Sequence, residues 1–136
     1  MISVIYFIKN ESDGGIIYPN RRKSGTSALA VVKKLCVKHL TSFESYQKSV
    51  RHITKEQYKI PIVLSSKYAF FATKSYHHID SIWINYMQIK EIIYMDKYIE
   101  FIFDETYRIK VSLSTKSYQR LVSLIFKVLN YKVSLE

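Results

Sequence analysis

The sequence contains little cysteine, glycine or proline and no long hydrophobic run. With Cys36 as the single cysteine in 136 residues, neither an internal disulfide nor a cysteine-only zinc site can form. Three glycines and two prolines leave no glycine-rich phosphate loop and no linker, so we expect one domain spanning residues 1–136. No apolar run approaches the roughly 20 residues that cross a bilayer, and residues 1–8 lack the basic start of a signal peptide. These absences predict a cytoplasmic globular protein that does not enter a membrane.

Acidic residues are also scarce. The chain has 11 of them against 21 lysines and arginines, which gives a net charge of +10. A charge of this sign and size favours anionic partners such as nucleic acid. Codon bias would also raise the lysine content, but it would spread lysine evenly along the chain. Instead, residues 21–59 hold ten basic and two acidic residues, a net charge of +8. The clustering therefore favours a binding role for this segment.

Two amphipathic helices are predicted within this basic segment. The first runs from Ser27 to Leu40, with apolar residues at helical spacing and lysines on the opposite side. The second begins at Thr41, because Thr41 and Glu44 have the spacing of a capping box. The predicted apolar positions of the two helices are Leu29, Val32, Leu35, Cys36, Leu40, Phe43, Tyr46, Val50 and Ile53. Each helix therefore has one face for the core and one basic face.

The remaining segments predict strands followed by one more helix. Apolar residues alternate with the period of two that is typical of strands. The predicted strands are 1–9, 16–18, 60–64, 68–73, 82–95 with a bend near Gln88, 98–103 and 107–113. A three-residue turn at 104–106 is favoured because it pairs apolar with apolar residues across the last hairpin. A last helix, capped by Ser114 or Thr115, ends near Asn130. The fold expected is α+β: a curved, mostly antiparallel sheet with an inserted helical pair and a C-terminal helix packed on the sheet.

No residue pattern suited to catalysis or metal binding stands out. Cys36 occupies a core position of the first helix, and the adjacent His77 and His78 would point apart. Paired carboxylates for acid–base chemistry are missing, since Asp104 and Glu105 form a hairpin tip. We therefore expect no enzyme, no cofactor and no metal site.

Candidate nucleic-acid contacts lie in three basic segments. A basic loop at 21–25 precedes the first helix, a basic row lies on each helix, and a polar loop at 74–80 carries aromatic and histidine side chains. Such groups neutralise phosphates and release counterions. The predicted DNA-binding residues are Arg21, Arg22, Lys23, Lys34, Lys38, Lys48, Arg51, His52, Lys55, Lys74, His77 and His78. A merely solvated lysine face is the alternative interpretation of the helical rows.

An ordered set of short motifs runs through the middle of the chain. It comprises Cys36, the step Thr41-Ser42-Phe43-Glu44-Ser45-Tyr46 followed by Lys48 and Ile53-Thr54, then Lys59-Ile60-Pro61-Ile62-Val63-Leu64, Phe70-Phe71-Ala72-Thr73 and Trp83-Ile84. In order and spacing this set resembles the ComK family of competence transcription factors over roughly residues 30–92, with a weaker likeness at 117–126. Two positions depart from the family's pattern: Ala72 stands in place of a proline, and Leu40-Thr41 in place of a glycine step.

The resemblance implies a bacterial transcriptional activator of DNA-uptake genes. Such proteins bind paired A/T-rich boxes of double-stranded DNA, largely through the minor groove, and assemble on the nucleoid as homodimers or higher oligomers. RNA polymerase and a proteolytic adaptor are the further partners that the resemblance implies. Larger members carry a longer C-terminal tail that bears on activation and adaptor-guided proteolysis, and we expect this chain to lack it after Glu136. The alternative function is a basic module that binds an acidic protein and has no DNA activity.

Overall fold

The computed structural model describes residues 4–56 and 59–136, which form three α-helices, nine short strands and one 3-10 turn. The strands are β1 (Phe7–Glu11), β2 (Gly14–Tyr18), β3 (Arg22–Lys23), β4 (Ile62–Val63), β5 (Ala69–Ala72), β6 (Ile82–Asn85), β7 (Glu91–Tyr94), β8 (Ile99–Ile102) and β9 (Arg108–Val111). The helices are α1 (Ala28–Lys38), α2 (Phe43–Thr54) and α3 (Thr115–Ser134), and the 3-10 turn spans Tyr86–Gln88. The helical pair therefore lies between the first and second groups of strands, as the sequence predicted.

Six strands form one antiparallel sheet in the order β3-β2-β1-β6-β5-β4. β1 lies near its centre, because Ile8 is opposite Ile17 of β2 on one side and Trp83 of β6 on the other. A second sheet has the order β7-β8-β9, and it pairs Phe101 with Ile109 as the three-residue turn predicted. The 82–95 segment bends at 86–88 as expected, but its two halves belong to different sheets. In the part of the chain that the structure describes, neither sheet closes into a barrel.

Both faces of the six-stranded sheet are covered. α1 and α2 cover one face, where the rings of Trp83 and Phe43 are 6.1 Å apart. The β7–β9 sheet and α3 cover the other face, where Phe71 lies 5.8 Å from Phe101 and 5.7 Å from Tyr118. All five side chains are buried, so aromatic packing joins the three layers. The expected α+β fold, with an inserted helical pair and a C-terminal helix packed on the sheet, is confirmed.

The second helix begins differently from the sequence prediction. Leu40 adopts a left-handed conformation with a φ of 64° just past the end of α1, and the Thr41 amide donates to the Cys36 carbonyl at 3.1 Å. Because Thr41 completes the end of α1, Ser42 caps α2 by accepting a hydrogen bond from an amide of the first helical turn at 3.1 Å. The predicted capping box of Thr41 and Glu44 is therefore wrong.

Several further details of the sequence prediction are corrected by the structure. Leu40 is 96% exposed because it lies beyond the last turn of α1, and Ile53 is 37% exposed at the margin of the buried face of α2. β1 begins at Phe7, and residues 1–3 of the predicted first strand lie outside the described residues. Part of the predicted basic loop is strand β3, which extends the sheet beyond β2. α3 continues to Ser134, four residues past the predicted end.

Candidate nucleic-acid interface

A groove of about 470 Å³ lies between α1 and the β2–β3 edge of the sheet. Its lining residues are Ile5, Ile17, Arg22, Ser24, Thr26, Val31, Lys34, Leu35, Lys38 and Tyr68. Arg22 lies opposite Ile17 across the β2–β3 pair, so the two side chains share the face of the sheet that α1 covers. The groove thus joins an apolar floor to three cations that the sequence had placed in two separate segments.

The Arg22 guanidinium is half-buried and held in place. One terminal nitrogen donates to the Val4 carbonyl at 2.8 Å, whereas Nε is buried and makes no hydrogen bond. The hydroxyl of Thr26, also in the groove, is buried and lacks a hydrogen-bond partner as well. A buried polar atom without a partner costs free energy, so the protein's own groups leave two polar atoms beside the groove unsatisfied.

Lys34 and Lys38 are exposed, lie one helical turn apart on α1, and point to the same side as the groove. Within residues 4–56 and 59–136, no carboxylate lies within ion-pair distance of either lysine. Lys33 differs, because its Nζ lies 3.3 Å from a Glu44 carboxylate oxygen and 5.7 Å from the centre of the Phe43 ring. Lys34 and Lys38 are therefore the two lysines of α1 whose charge remains open to a ligand.

The other two cations of the 21–23 segment have acidic partners. Arg21 makes an ion pair with Glu11 at 3.0 Å and also donates to the Tyr18 hydroxyl at 2.8 Å. The hydrogen bond from Tyr18, with the nearby guanidinium, holds the pKa of Glu11 below its ordinary value. Lys23 lies 3.4 Å from Asp13, with both side chains exposed. The segment predicted as a free basic loop thus has two of its cations directed at the end of the β1–β2 hairpin.

The cations predicted on α2 are spread over different surroundings. Lys48 and His52 are exposed and line a shallow cleft of about 380 Å³ with Tyr131 of α3. Lys55 ends the helix in a left-handed conformation with a φ of 64°. Arg51 is half-buried, and its Nε makes no hydrogen bond. Burial raises the pKa of the Tyr76 phenol, and the positive charge of Arg51 offsets part of that rise. Lys48, His52 and Lys55 are therefore the accessible members of this row.

The loop at 74–80 separates into an inner and an outer part. Tyr76 turns inward, where its ring stacks on Trp83 at 5.6 Å and its hydroxyl donates to the Ile60 carbonyl at 3.0 Å. His77 and His78 are exposed, and Lys74 is half-buried. The aromatic ring that the sequence grouped with these basic side chains is therefore packed against the core, on Trp83, instead of projecting with them as a ring that could stack on a base.

The structure offers little basis for other chemistry. Burial raises the pKa of the Cys36 thiol to about 11, which disfavours a nucleophilic thiolate. Among the described residues, no three histidine, cysteine, aspartate or glutamate side chains are grouped as metal ligands. None of the described helices is both long and apolar enough to span a bilayer.

Sequence reasoning missed Ser24, Thr26 and Tyr68 as neighbours of the candidate cations. Ser24 and Thr26 follow β3, a two-residue strand too short to show a period, and Tyr68 enters from β5's side of the sheet. In the sequence, Ser24 and Thr26 are visible only as two hydroxyl residues that follow the Arg-Arg-Lys run, and Tyr68 only as an aromatic residue before a strand. Neither signal indicates a groove without knowledge of the β2–β3 pairing.

Comparison with known proteins gives one match. No curated protein and no solved structure matches the chain significantly. A family model described as ComK protein matches residues 16–130, which include part of β2, all of β3 to β9, both helices of the inserted pair and most of α3. The match extends well beyond the motifs between residues 30 and 92 that suggested the family from the sequence. The chain belongs to the ComK family of competence transcription factors.

Proposed function

We propose that this protein activates competence genes by binding A/T-rich double-stranded DNA, with the groove beside α1 as the principal contact surface. Membership of the ComK family supports a role in transcription. The groove supports the choice of surface, since it places Arg22, Lys34 and Lys38 around one cavity. RNA polymerase, a proteolytic adaptor and attachment to the nucleoid remain expectations that follow from the family.

One observation carries the proposal: Lys34 and Lys38 have no acidic partner among the described residues, although other cations nearby do. Cations that are already paired must lose a partner before they bind a phosphate, which offsets part of the gain. Unpaired lysines can neutralise phosphates directly and release counterions from DNA. Phosphate contacts of this kind set the position of a protein on the duplex and give affinity with little sequence choice.

Preference for A/T-rich sequence is assigned to Arg22. The minor groove of A/T tracts is narrow and strongly negative, and it attracts inserted arginine side chains. A guanidinium is more weakly hydrated than an ammonium, so it loses less on entering a narrow groove. Arg22 is the arginine of the 21–23 segment that lines the cavity, whereas Arg21 is engaged with Glu11.

The first test measures how DNA affinity depends on salt. The double variant Lys34→Gln/Lys38→Gln should bind an A/T-rich duplex more weakly and lower the slope of log affinity against log salt by about 1.8, since each lost phosphate contact removes about 0.9. The matched control is Lys97→Gln/Lys127→Gln, which removes the same charge from exposed positions that do not line the groove. An equal change of slope in both variants would contradict the proposed surface.

The second test concerns groove choice and A/T preference. Arg22→Lys should reduce the ratio of affinities for A/T-rich and G/C-rich duplexes, whereas Arg21→Lys, which keeps the same charge beside Glu11, should leave it nearly unchanged. A minor-groove ligand such as distamycin should compete with the protein, and methylation of guanine N7 in the major groove should not. Inhibition by N7 methylation without competition from distamycin would instead favour the exposed face of α2 as the reader.

The apolar floor of the groove favours a second candidate function. Val31, Leu35 and Tyr68 lie beneath the three cations, a combination suited to an acidic peptide segment that also carries an apolar side chain. In that case the protein is an interaction module without DNA activity. Absence of salt-dependent binding to A/T-rich duplex, together with retention of an acidic, leucine-containing peptide, would favour this candidate over the first.

A further inference from the structure

A row of three side chains on α2 lies against the loop at 74–80. Phe43, Gln47 and Arg51 follow one another at spacings of four residues, so they share one flank of the helix. The Phe43 ring lies 5.4 Å from the Tyr76 ring in an edge-on arrangement. Burial raises the pKa of the Tyr76 phenol, and both Arg51 and Gln47 are near enough to offset part of that rise. The whole row therefore faces Tyr76.

Two N–H groups of this row are buried and lack a partner. Gln47 is only 6% exposed, and its side-chain nitrogen makes no hydrogen bond. The Nε atom of Arg51, one helical turn further on, is also buried without a partner. The Tyr76 hydroxyl is already engaged, because it accepts from the Ile60 amide and donates to the Ile60 carbonyl at 3.0 Å. Since both open groups are donors, what they lack is an acceptor.

Two further cations lie beside the same tyrosine. The Lys59 ammonium donates to the Thr73 carbonyl at 3.1 Å, and the Arg120 guanidinium of α3 lies 4.0 Å from a Glu56 carboxylate oxygen. Burial and the charge of Arg120 together hold the pKa of Lys59 below its ordinary value. Arg120 also acts on the Tyr76 phenol. Cations from α2, from the segment before β4 and from α3 therefore meet at one place.

Positive charge exceeds negative charge at this junction. We call the set the α2–α3 cluster, and its members are Gln47, Arg51, Lys59, Tyr76 and Arg120. Three of them are cations, and Glu56 is paired with Arg120. Within residues 4–56 and 59–136, no carboxylate lies within ion-pair distance of Arg51 or Lys59. Like charges held together at a partly buried site favour the binding of an anion that offsets them.

We propose that the α2–α3 cluster is a binding site for inorganic phosphate. The three cations neutralise the charge of the ion, and the Gln47 amide and the Arg51 Nε–H donate to its oxygens. The side chains of Arg120 and Glu56 are 35% and 38% exposed, so a small ion can reach the cluster from solvent. No member of the cluster lines the groove beside α1, and the inference does not rest on DNA binding.

Glu56 favours hydrogen phosphate over other oxyanions. Hydrogen phosphate carries one O–H donor besides its acceptor oxygens, and the Glu56 carboxylate can accept that proton. Sulfate has no proton to donate, so it would meet the carboxylate as a like charge without a hydrogen bond. A site that bonds a donor of its ligand discriminates strongly against an analogue that lacks the donor. Sulfate should therefore bind at least about 10-fold more weakly than phosphate.

The first test is isothermal titration calorimetry of the full chain without DNA, at slightly alkaline pH and constant ionic strength. Sodium phosphate should bind once per chain with a dissociation constant on the order of 1 mM or below. Arg51→Gln should weaken binding at least about 10-fold, because it removes a charged donor. Lys48→Gln, which removes the same charge from an exposed position of α2, should stay within about two-fold.

The absence of phosphate binding by the wild type would overturn the proposal. Equal affinities of Arg51→Gln and the wild type would do the same. Equal affinities for sulfate and phosphate would overturn the assignment to hydrogen phosphate.

The second test replaces the Gln47 amide by a carboxylate of the same shape. Gln47→Glu puts a negative charge among the three cations, so it should abolish phosphate binding and raise the urea midpoint of unfolding in phosphate-free buffer at neutral pH. A purely structural role of Gln47 predicts the opposite shift, since a buried carboxylate without partners is unfavourable. A lowered midpoint, or phosphate affinity like that of the wild type, would contradict the proposed site.

A third measurement separates this site from the DNA-binding surface. The wild type saturated with phosphate should keep it when an A/T-rich duplex is added, because a duplex is too wide to bring its backbone to buried donors. Phosphorus NMR of the bound ion provides the readout. Release of phosphate by the duplex would assign the contact to the DNA backbone and overturn the proposal. Lys34→Gln/Lys38→Gln should bind phosphate as the wild type does, so a failure of the groove assignment leaves this site unaffected.

Discussion

Asn85 bonds four backbone groups in three segments of the chain from a fully buried position at the end of β6. Its side-chain oxygen accepts from the Ala69 amide at 3.1 Å and from the Met87 amide at 3.3 Å. Its side-chain nitrogen donates to the carbonyls of Ile5 and Lys67, both at 2.8 Å. The amide group of one residue therefore satisfies backbone atoms from several segments at the point where the chain leaves the six-stranded sheet for the 3-10 turn.

Replacing Asn85 should be costly. Asn85→Ala leaves buried backbone groups without partners, and each such group costs about 1–3 kcal/mol, so we expect a loss of about 2–4 kcal/mol of unfolding free energy. Urea denaturation followed by circular dichroism measures the loss. Asn130→Ala on the exposed face of α3 is the control and should change stability by less than about 0.5 kcal/mol. Equal stability of both variants would show that solvent or rearrangement replaces the network.

Cys36 should respond to pH through burial of its thiol. Its pKa in the folded protein is raised to about 11, against roughly 8.5 for an unfolded cysteine. Both states hold the proton at neutral pH, and above about pH 8.5 the unfolded chain loses it first, so the stability contributed by the neutral buried thiol is lost as pH rises toward 11. Wild type should therefore lose stability relative to Cys36→Ala across this range, as measured by urea unfolding.

The same burial predicts that the Cys36 thiol reacts slowly with thiol reagents in the folded protein. Near pH 8, Ellman's reagent should label the native thiol at least about 100-fold more slowly than the thiol of the unfolded chain in urea, because little thiolate forms in the folded protein. Rapid native labelling would show that Cys36 is accessible, which is incompatible with its position on the buried face of α1.

At the scale of single elements, the junction between α1 and α2 shows how one helix end fixes the start of the next. Leu40 takes the left-handed conformation that ends α1, and the amide of Thr41 donates a hydrogen bond to the Cys36 carbonyl. Ser42 is then the first residue free to accept from the orphan amides of α2. The close connection also brings Glu44 to Lys33, with 3.3 Å between the charged atoms.

This arrangement gives a paired prediction. Ser42→Ala should reduce stability by about 1 kcal/mol through loss of the cap, while Thr41→Ala, one residue earlier, should have an effect below about 0.5 kcal/mol. Thermal or urea unfolding of the two variants measures both. The reverse order would restore the capping box that the sequence alone suggested.

At the scale of the whole molecule, the excess positive charge lies largely in residues 21–59, which include β3, α1 and α2. Arg22, Lys34 and Lys38 line the groove beside α1, and Lys48 and Lys55 lie on α2. A charged surface of this extent raises the rate at which DNA is encountered, whereas specific contacts determine how long it stays bound. The two effects can be separated by variants that change the net charge equally.

We therefore expect Lys34→Gln/Lys38→Gln and Lys48→Gln/Lys55→Gln to slow association with DNA to a similar degree at low salt. Dissociation should accelerate markedly only for the first pair, since those lysines line the groove. Stopped-flow measurements of both rate constants provide the check. Faster dissociation of the α2 pair instead would move the principal contact surface to α2.

Local pattern was enough to predict much of the fold and the charge. The three helices, the β8–β9 hairpin with its turn, the core position of Cys36 and the basic segment at 21–59 were all evident from the sequence. These features depend on side chains two to four residues apart, whose relation is fixed by the geometry of a strand or a helix. The ordered motifs also indicated the family that the match over residues 16–130 establishes.

Tertiary structure alone decided which cations share a site. Arg22 lines the groove and Arg21 pairs with Glu11 because β3 pairs with β2. A strand of two residues is too short to show a hydrophobic period, so the sequence could not predict this pairing. Tyr76 packs against the core because its ring stacks on Trp83 and its hydroxyl bonds Ile60, and Asn85 links β6 to the carbonyls of Ile5 and Lys67. Such roles arise where segments far apart in sequence pack together. The contacts of each of these side chains therefore depend on the tertiary fold and not on the residues adjacent in sequence.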